Sequence, residues 1–326
     1  MAPPPSRAAV TRYVLSALLA LWVVCALAPA SLAADRIPKI GLVTNSLETR
    51  DAFVLGLTEL GYREGGNVEL HWRRATEDGG RDLQELVRLE PACLVLPGPL
   101  RLAHGRRLTS TIPIVALDLE SDPVGSGIVA SLARPGGNVT GIFMDLPELA
   151  GKQIQLLREA VPTLSRLAVV WDERIGTPQL RAAQVAARTA DITLVPIPFR
   201  GASDLDGAIS RAVKGGAGAQ LVLTSPEIFL ARERIAESAR RYRLASASIF
   251  PAYAEAGGLL GYGPNLAGLY RQAAKYVDRV LRGVRPADLP IERPSKFEFV
   301  VNLKTARALG LTIPPSLLAR ADKVVE

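Results

Sequence analysis

The residues best placed by type and spacing to do chemistry lie between Asp118 and Asp145, DLESDPVGSGIVASLARPGGNVTGIFMD. Asp118, Ser121 and Asp122 crowd the end of an apolar run, Ile112–Leu117. A carboxylate in a cleft pairs with a ligand ammonium, because burying it without a partner is costly. Pro123 suits the first turn of a helix and disfavours helix in the residue before it. Asp122 is therefore expected to cap a short helix from Pro123 to about Leu132. Two roles stand for Asp122, cap or ligand contact. The N–H groups at that helix end, around Val124 and Gly125, offer a third arrangement, a seat for a ligand carboxylate. Arg134-Pro135-Gly136-Gly137 stops the helix, and a second apolar run, Val139–Met144, follows with Phe143 as wall or core. Strand, polar loop, helix and strand is the layout of a crevice beyond the carboxyl ends of a parallel sheet.

The same logic picks out the other loops that follow apolar runs. Asn45 and Ser46 follow Lys39–Thr44, and either bond a ligand or leave Ser46 as a helix cap. Gly98 and Pro99 follow Cys93–Leu96, as a close backbone approach to ligand or a tight turn. Asp172 ends Leu167–Trp171, and Ser225 with Pro226 and Glu227 ends Leu221–Thr224. Phe250 ends Ala247–Phe250, and with Tyr253 it offers aromatic faces for stacking on a flat ligand. Glu173, Arg174 and Arg200 are expected to be solvated.

Catalysis lacks material. The chain has no G-x-x-x-x-G-K-[ST], no G-x-S-x-G and no H-E-x-x-H. Its two histidines, His71 and His104, sit in strand-like and helix-like runs. No catalytic residue, metal or cofactor is expected. The formal net charge is +7, but Lys and Arg are scattered singly between acids. That pattern lacks the concentrated patch of a nucleic-acid binder.

The elements that must position these loops alternate strand and helix throughout, the signature of a parallel sheet covered on both faces. Helical spacing marks Arg50–Leu60, Arg81–Leu89 and Leu100–Leu108 between the first strands. The series restarts after Leu149–Val161, with a helix from Ser203 as cap to Val213 and another over Ile228–Tyr242. Two successive βα series of comparable length imply two similar domains. A glycine-rich strand (Gly257–Gly263), a helix (Leu266–Leu281), a Pro-rich linker (Pro286–Pro294) and a final strand–helix tail could be shared between them as a hinge.

Residues 1–33 read as a secretory signal. Arg7 and Arg12 precede an apolar core, Tyr13–Ala28, then Pro29 and small residues at Ser31 and Ala33. An uncleaved anchor is the alternative. Cys25 falls inside the apolar core, so Cys93 is left as a lone buried thiol with packing as its role.

Three blocks carry a family resemblance. SDPVGSGIVASLARPGGNVTG (Ser121–Gly141), AEAGGLLGYG (Ala254–Gly263) and the run from Tyr270 to Glu326 are similar to the ABC transporter substrate-binding proteins that include tryptophan and tyrosine binders. The resemblance implies an α/β periplasmic-binding-protein fold of the first type. Two Rossmann-like lobes, 34–143 plus 258–287 and 144–257 plus 288–326, would be joined by three crossings. It further implies a periplasmic monomer that captures a small organic solute and delivers it to an inner-membrane ABC permease with its ATPase. A sensory module acting on a membrane signalling partner is the alternative. The chain departs from the family at Pro99-Leu100, where relatives carry Gly-Thr or a similar polar pair, and over SIFPAYAEAGG, where they carry Trp or Arg. An amino acid, an aromatic acid and another small organic solute therefore all stay open as ligands.

Overall fold

The apolar runs pair into two separate sheets. The computed structural model describes residues 37–44, 46–75, 80–117, 123–144, 146–175, 177–294 and 296–326. The signal-like segment 1–33 and the candidates Asn45, Asp118 and Asp122 lie outside the described residues.

The first sheet contains β1 (Lys39–Thr44), β2 (Glu69–Arg74), β3 (Cys93–Pro97), β4 (Ile114–Leu117) and β5 (Val139–Ile142), in the order β2-β1-β3-β4-β5. Every pairing in it is parallel. Strands β3, β4 and β5 are buried end to end, because helices cover both faces. Helix α1 (Leu47–Glu59) lays Phe53 and Leu57 on Ile40, Leu42 and Val95. Helices α2 (Gly80–Arg88) and α3 (Gly98–Leu108) cover the other face with Leu83, Leu86 and Leu102 against Leu94, Leu96 and Ile114.

Cys93 stands inside this core with no exposed surface, and burial pushes its thiol up to about 12. The reactive species is the thiolate. Iodoacetamide at pH 8 should therefore leave Cys93 unmodified in the folded protein and alkylate it in urea. Mass spectrometry of the Cys93 peptide checks this, and rapid native labelling would contradict the burial.

The second series contributes α4 (Leu146–Ala160), β6 (Arg166–Trp171), α5 (Thr177–Thr189), β7 (Thr193–Pro198), α6 (Ala202–Lys214), β8 (Ala219–Val222), α7 (Pro226–Leu230), α8 (Arg232–Arg241), β9 (Ala245–Ser248), α9 (Pro251–Glu255) and β10 (Leu260–Pro264). The chain then forms α10 (Leu266–Leu281), a helical turn at 286–288, β11 (Phe297–Asn302), α11 (Leu303–Leu309), α12 (Pro315–Leu318) and β12 (Lys323–Val325). The second sheet runs β12-β11-β10-β9-β8-β6-β7, parallel except where β10 meets β11. This is the expected α/β architecture of two mostly parallel sheets flanked by helices.

Local expectations change in several places. No helix forms over 123–132. Residues 123–127 make one wide turn, with Ile128 and Val129 N–H both donating to the Pro123 carbonyl at 3.0 and 3.1 Å. Two glycines lie in that turn, each costing about 1 kcal/mol in a helix, and Gly127 adopts φ +69°. The helix expected over 228–242 is two helices that meet at Ala231. Ser203 lies inside α6, whose cap position is Gly201.

The tail divides differently from the 258 and 288 boundaries. β10 pairs with β9 and β11, so 260–264 sits in the second sheet. Helix α10 instead returns to the first sheet, burying Leu269, Tyr270, Ala273, Tyr276 and Val277. Residues 289–292 then run beside β5. Thr140 Oγ1 donates to the Leu289 carbonyl at 2.8 Å, and Phe143 N to the Glu292 carbonyl at 3.0 Å. The chain therefore passes between the sheets after β5, at Asn265 and between Glu292 and β11. The apolar pattern of these segments shows which face must be buried but not which sheet it must cover.

Candidate functional site

In each sheet the strand order reverses once, between β1 and β3 in the first and between β6 and β8 in the second. Ligand crevices of open α/β sheets lie at such reversals, beyond the carboxyl ends of the strands. Here the loops from the two sheets converge. Gly98 holds φ +75°, and a Cβ there would stand 3.4 Å from Pro226 Cγ of the opposite lobe. The positive φ of this turn is what favours the glycine.

Behind this contact lies a small cavity of about 40 Å³. The first lobe lines it with Gly98, Pro99, Leu117, Met144, Leu269 and Tyr270. The second lines it with Ile175, Thr224, Ser225, Pro226, Phe229 and Phe250. The walls are almost wholly apolar and aromatic. Phe229 and Phe250 meet edge to face, centroids 5.3 Å apart at 85°, an arrangement aromatic quadrupoles favour. The Arg232 guanidinium stands 4.6 Å from the Phe229 ring centre.

The second-lobe loop is buttressed by hydrogen bonds of its own. Gln179 of α5 brackets Thr224, donating to its carbonyl at 3.0 Å and accepting from its N–H at 3.1 Å. Ser225 Oγ accepts from Ile228 N at 3.2 Å and caps α7. Pro226 at the first helical position needs no partner for a missing N–H.

Beside the cavity a chain of charges crosses the two lobes. Arg174 grips Asp172 through Nε and Nη2 at 3.0 and 2.8 Å, and lies 3.2 Å from Glu227. Glu227 stands 3.9 Å from Arg101 of α3. Burial alone would raise the Asp172 carboxyl, but hydrogen bonds from Arg174 and Ser225 outweigh it and hold it below the usual carboxylate range. Burial lowers the Arg101 guanidinium, with the Glu227 charge opposing.

Of the residues singled out from sequence, Gly98, Pro99, Ser225 and Phe250 line the cavity. Asp172 is 2% exposed and committed to Arg174, in a polar hollow next to the cavity. Ser46 is the α1 cap, in a capping box with Thr49. Phe143 is core, packed with Val43, Leu96 and Ile291. Tyr253 is core of the second lobe, its ring lying over Gly258, where a Cβ would fall 2.1 Å from Cε1. Its stacking role therefore fails, because α9 turns it away from the cleft. Arg174 is 46% exposed yet doubly ion-paired, and Arg200 pairs with Glu173 on the surface.

Sequence reasoning missed Arg101, Met144, Phe229 and Tyr270. One signal was present for Arg101. Gly98, Arg101, Leu102 and Gly105 are the buried positions of α3, spaced i, i+3, i+4, i+7, so a cation sits on an inward helical face. Among the described residues no group of three or more His, Cys, Asp or Glu side chains could hold a metal ion. Among them, too, no helix is long and apolar enough to cross a membrane.

Known proteins share this architecture. The family model described as ABC transporter substrate binding protein matches residues 44–325. A tyrosine-binding protein of Clostridioides difficile is 22% identical over 269 residues, covering 81% of this chain and 77% of that protein. A conserved domain protein from Vibrio cholerae superposes with TM-score 0.80 at 25% identity, covering 89% of this chain and 100% of that one. An ABC domain in complex with L-Trp from Streptococcus pneumonia has the same TM-score and coverage at 23% identity. A ligand-free, open substrate-binding protein from Clostridium difficile gives TM-score 0.65 at 20% identity, over 89% and 99% of the two chains. Two reversed sheets that share a cleft, and a family model spanning nearly everything after the first strand, place this chain in the ABC transporter substrate-binding protein family, whose members bind solutes and are not enzymes.

Proposed function

We propose that this protein captures a small organic solute in the cleft between its lobes and hands it to an inner-membrane ABC permease for import. The observation that carries the reading is the cavity at the two strand-order reversals, walled by Phe229, Phe250, Tyr270 and Met144 from both lobes. A ligand that touches both lobes shifts an open–closed equilibrium by its differential affinity for the closed form. The aromatic wall, with relatives described as tyrosine-binding and as a complex with L-Trp, favours an aromatic amino acid or aromatic acid. Residues 1–33 serve as the export signal, the mature protein works in the periplasm as a monomer, and nucleic acid is no partner. The lobes are 38–144 plus 265–293, and 146–264 plus 297–326, hinged at the three crossings.

A thermal-shift screen of protein unfolded and refolded to strip carried-over ligand tests the reading. The panel holds amino acids, aromatic acids and small aliphatic acids. A ligand at a hundred times its dissociation constant stabilises by about 2.7 kcal/mol. A rise confined to aromatic compounds supports the proposal. A flat response across the panel overturns it and turns attention to a signalling partner in the membrane.

A further inference from the structure

The second-lobe wall of the cavity is built where a strand has run past its partners. The pairing of β8 with β6 and with β9 ends at Val222. Leu223 N still reaches the Val170 carbonyl at 2.9 Å, but Thr224 lies beyond the ladder. Thr224 is buried, so its N–H and its carbonyl both need partners. One side chain supplies both. Gln179, in the first turn of α5 and itself buried, donates Nε2 to the Thr224 carbonyl at 3.0 Å and accepts the Thr224 N–H on Oε1 at 3.1 Å. Its amide does for Thr224 what a neighbouring strand peptide does within the sheet. The next residues are held locally. The Ser225 carbonyl accepts from Phe229 N at 2.9 Å, Ser225 Oγ accepts from Ile228 N at 3.2 Å, and Pro226 has no N–H. Thr224, Ser225 and Pro226 thus line the cavity with the Thr224 peptide groups already engaged behind it.

We propose that Gln179 is a positioning residue for solute binding: its amide draws the Thr224 peptide groups away from the cleft and so fixes the wall that Thr224, Ser225 and Pro226 present. The role in binding rests on the function proposed above, whereas the clamp itself needs no solute. A wall fixed in advance spares the solute the cost of ordering it. The clamp needs a donor and an acceptor on one side chain. Glutamate keeps the shape and the acceptor. When ionised it has no donor and sets a carboxylate against the Thr224 carbonyl; when protonated it regains the donor. A side chain that only packs α5 against β8 has no such dependence on the donor.

Two arms test this on the protein stripped of solute. Without solute, hydrogen exchange read by NMR at the Thr224 amide should be about tenfold faster or more in Gln179→Leu than in the wild type, because its buried partner is gone. With solute, isothermal titration uses L-tryptophan and indole-3-acetate as probes. Gln179→Leu should bind on the order of tenfold more weakly at every pH. Gln179→Glu should bind with near wild-type affinity at pH 5 and approach the Leu variant by pH 8.5. Asp172, Arg174 and Glu227 lie beside the same loop, so the wild type titrated over the same range removes their contribution. Circular dichroism confirms that each variant is folded, and the Glu variant keeps the test decisive if the Leu variant is not. Unchanged Thr224 exchange overturns the clamp. Wild-type affinity in Gln179→Leu, or a Gln179→Glu profile parallel to the wild type, overturns the positioning role. Failure of the wild type to bind either probe while the exchange arm holds overturns the solute class and the positioning role with it, and leaves the clamp as structure alone.

Discussion

Tyr270→Ala should lower the free energy of unfolding by about 3–5 kcal/mol, the usual cost of deleting a buried aromatic ring. Tyr270 has no exposed surface and is one of the largest wholly buried side chains. It stands on α10, where the chain returns from the second sheet to cover the first. Its ring joins Ile40, Val95, Phe53 and Leu269 in one cluster while its other edge faces the cavity. Its hydroxyl donates to the Val43 carbonyl at 3.4 Å, a long bond, and burial pushes the phenol above the ordinary tyrosine value. The ring should therefore matter far more than the hydroxyl. Tyr270→Phe is expected to cost no more than about 1.5 kcal/mol. Urea denaturation followed by circular dichroism separates the two, with the Ala variant showing a lower midpoint at an unchanged slope. A loss below about 1 kcal/mol for Tyr270→Ala would mean that α10 does not dock on the first sheet as described.

The second large effect falls on solute binding. Phe250→Ala should weaken the affinity for an aromatic solute on the order of 30-fold, in line with the 2 kcal/mol or more lost at a buried aromatic anchor. Phe250 belongs to the second lobe by sequence, at the cap of α9. Its ring nevertheless packs in the first-lobe cluster with Phe229, Leu269 and Tyr270. It is thus a contact that exists when the lobes are together, and the wall against which a flat ligand would lie. Tyr253→Phe is the comparison. That ring is packed in the second-lobe core over Gly258, so the change should leave affinity within twofold. Isothermal titration with the solute found by thermal shift measures both. Equal losses for the two variants would remove Phe250 from the cleft wall.

How much of this was legible beforehand differs from residue to residue. The inward positions of α10 follow helical spacing, and Leu269, Ala273, Tyr276, Val277 and Val280 are all buried as that spacing requires. Ser225 and Gly98 were visible because a polar or glycine residue directly after an apolar run marks the rim of a parallel sheet. Tyr253 was misplaced because an aromatic residue three positions beyond that rim could face either way, and α9 chose the core. Arg101 escaped because its charge suggests solvent, whereas its helical phase places it inside.

The sequence by itself determined the α/β class, the two series of strands and helices, the loops at the ends of the strands and the family blocks. Each of these rests on local periodicity or on short runs of residue types, which neighbours in the chain are enough to impose. Only the tertiary structure decided that Leu260–Pro264 lies in the second sheet while Leu266–Leu281 covers the first. It alone brought Arg101 opposite Glu227, and Phe250 beside Tyr270. Those pairings join residues far apart in the chain, where side-chain pattern fixes what must be buried but not against which partner. The partner is chosen by the order of strands in the sheets and by the three passages between them.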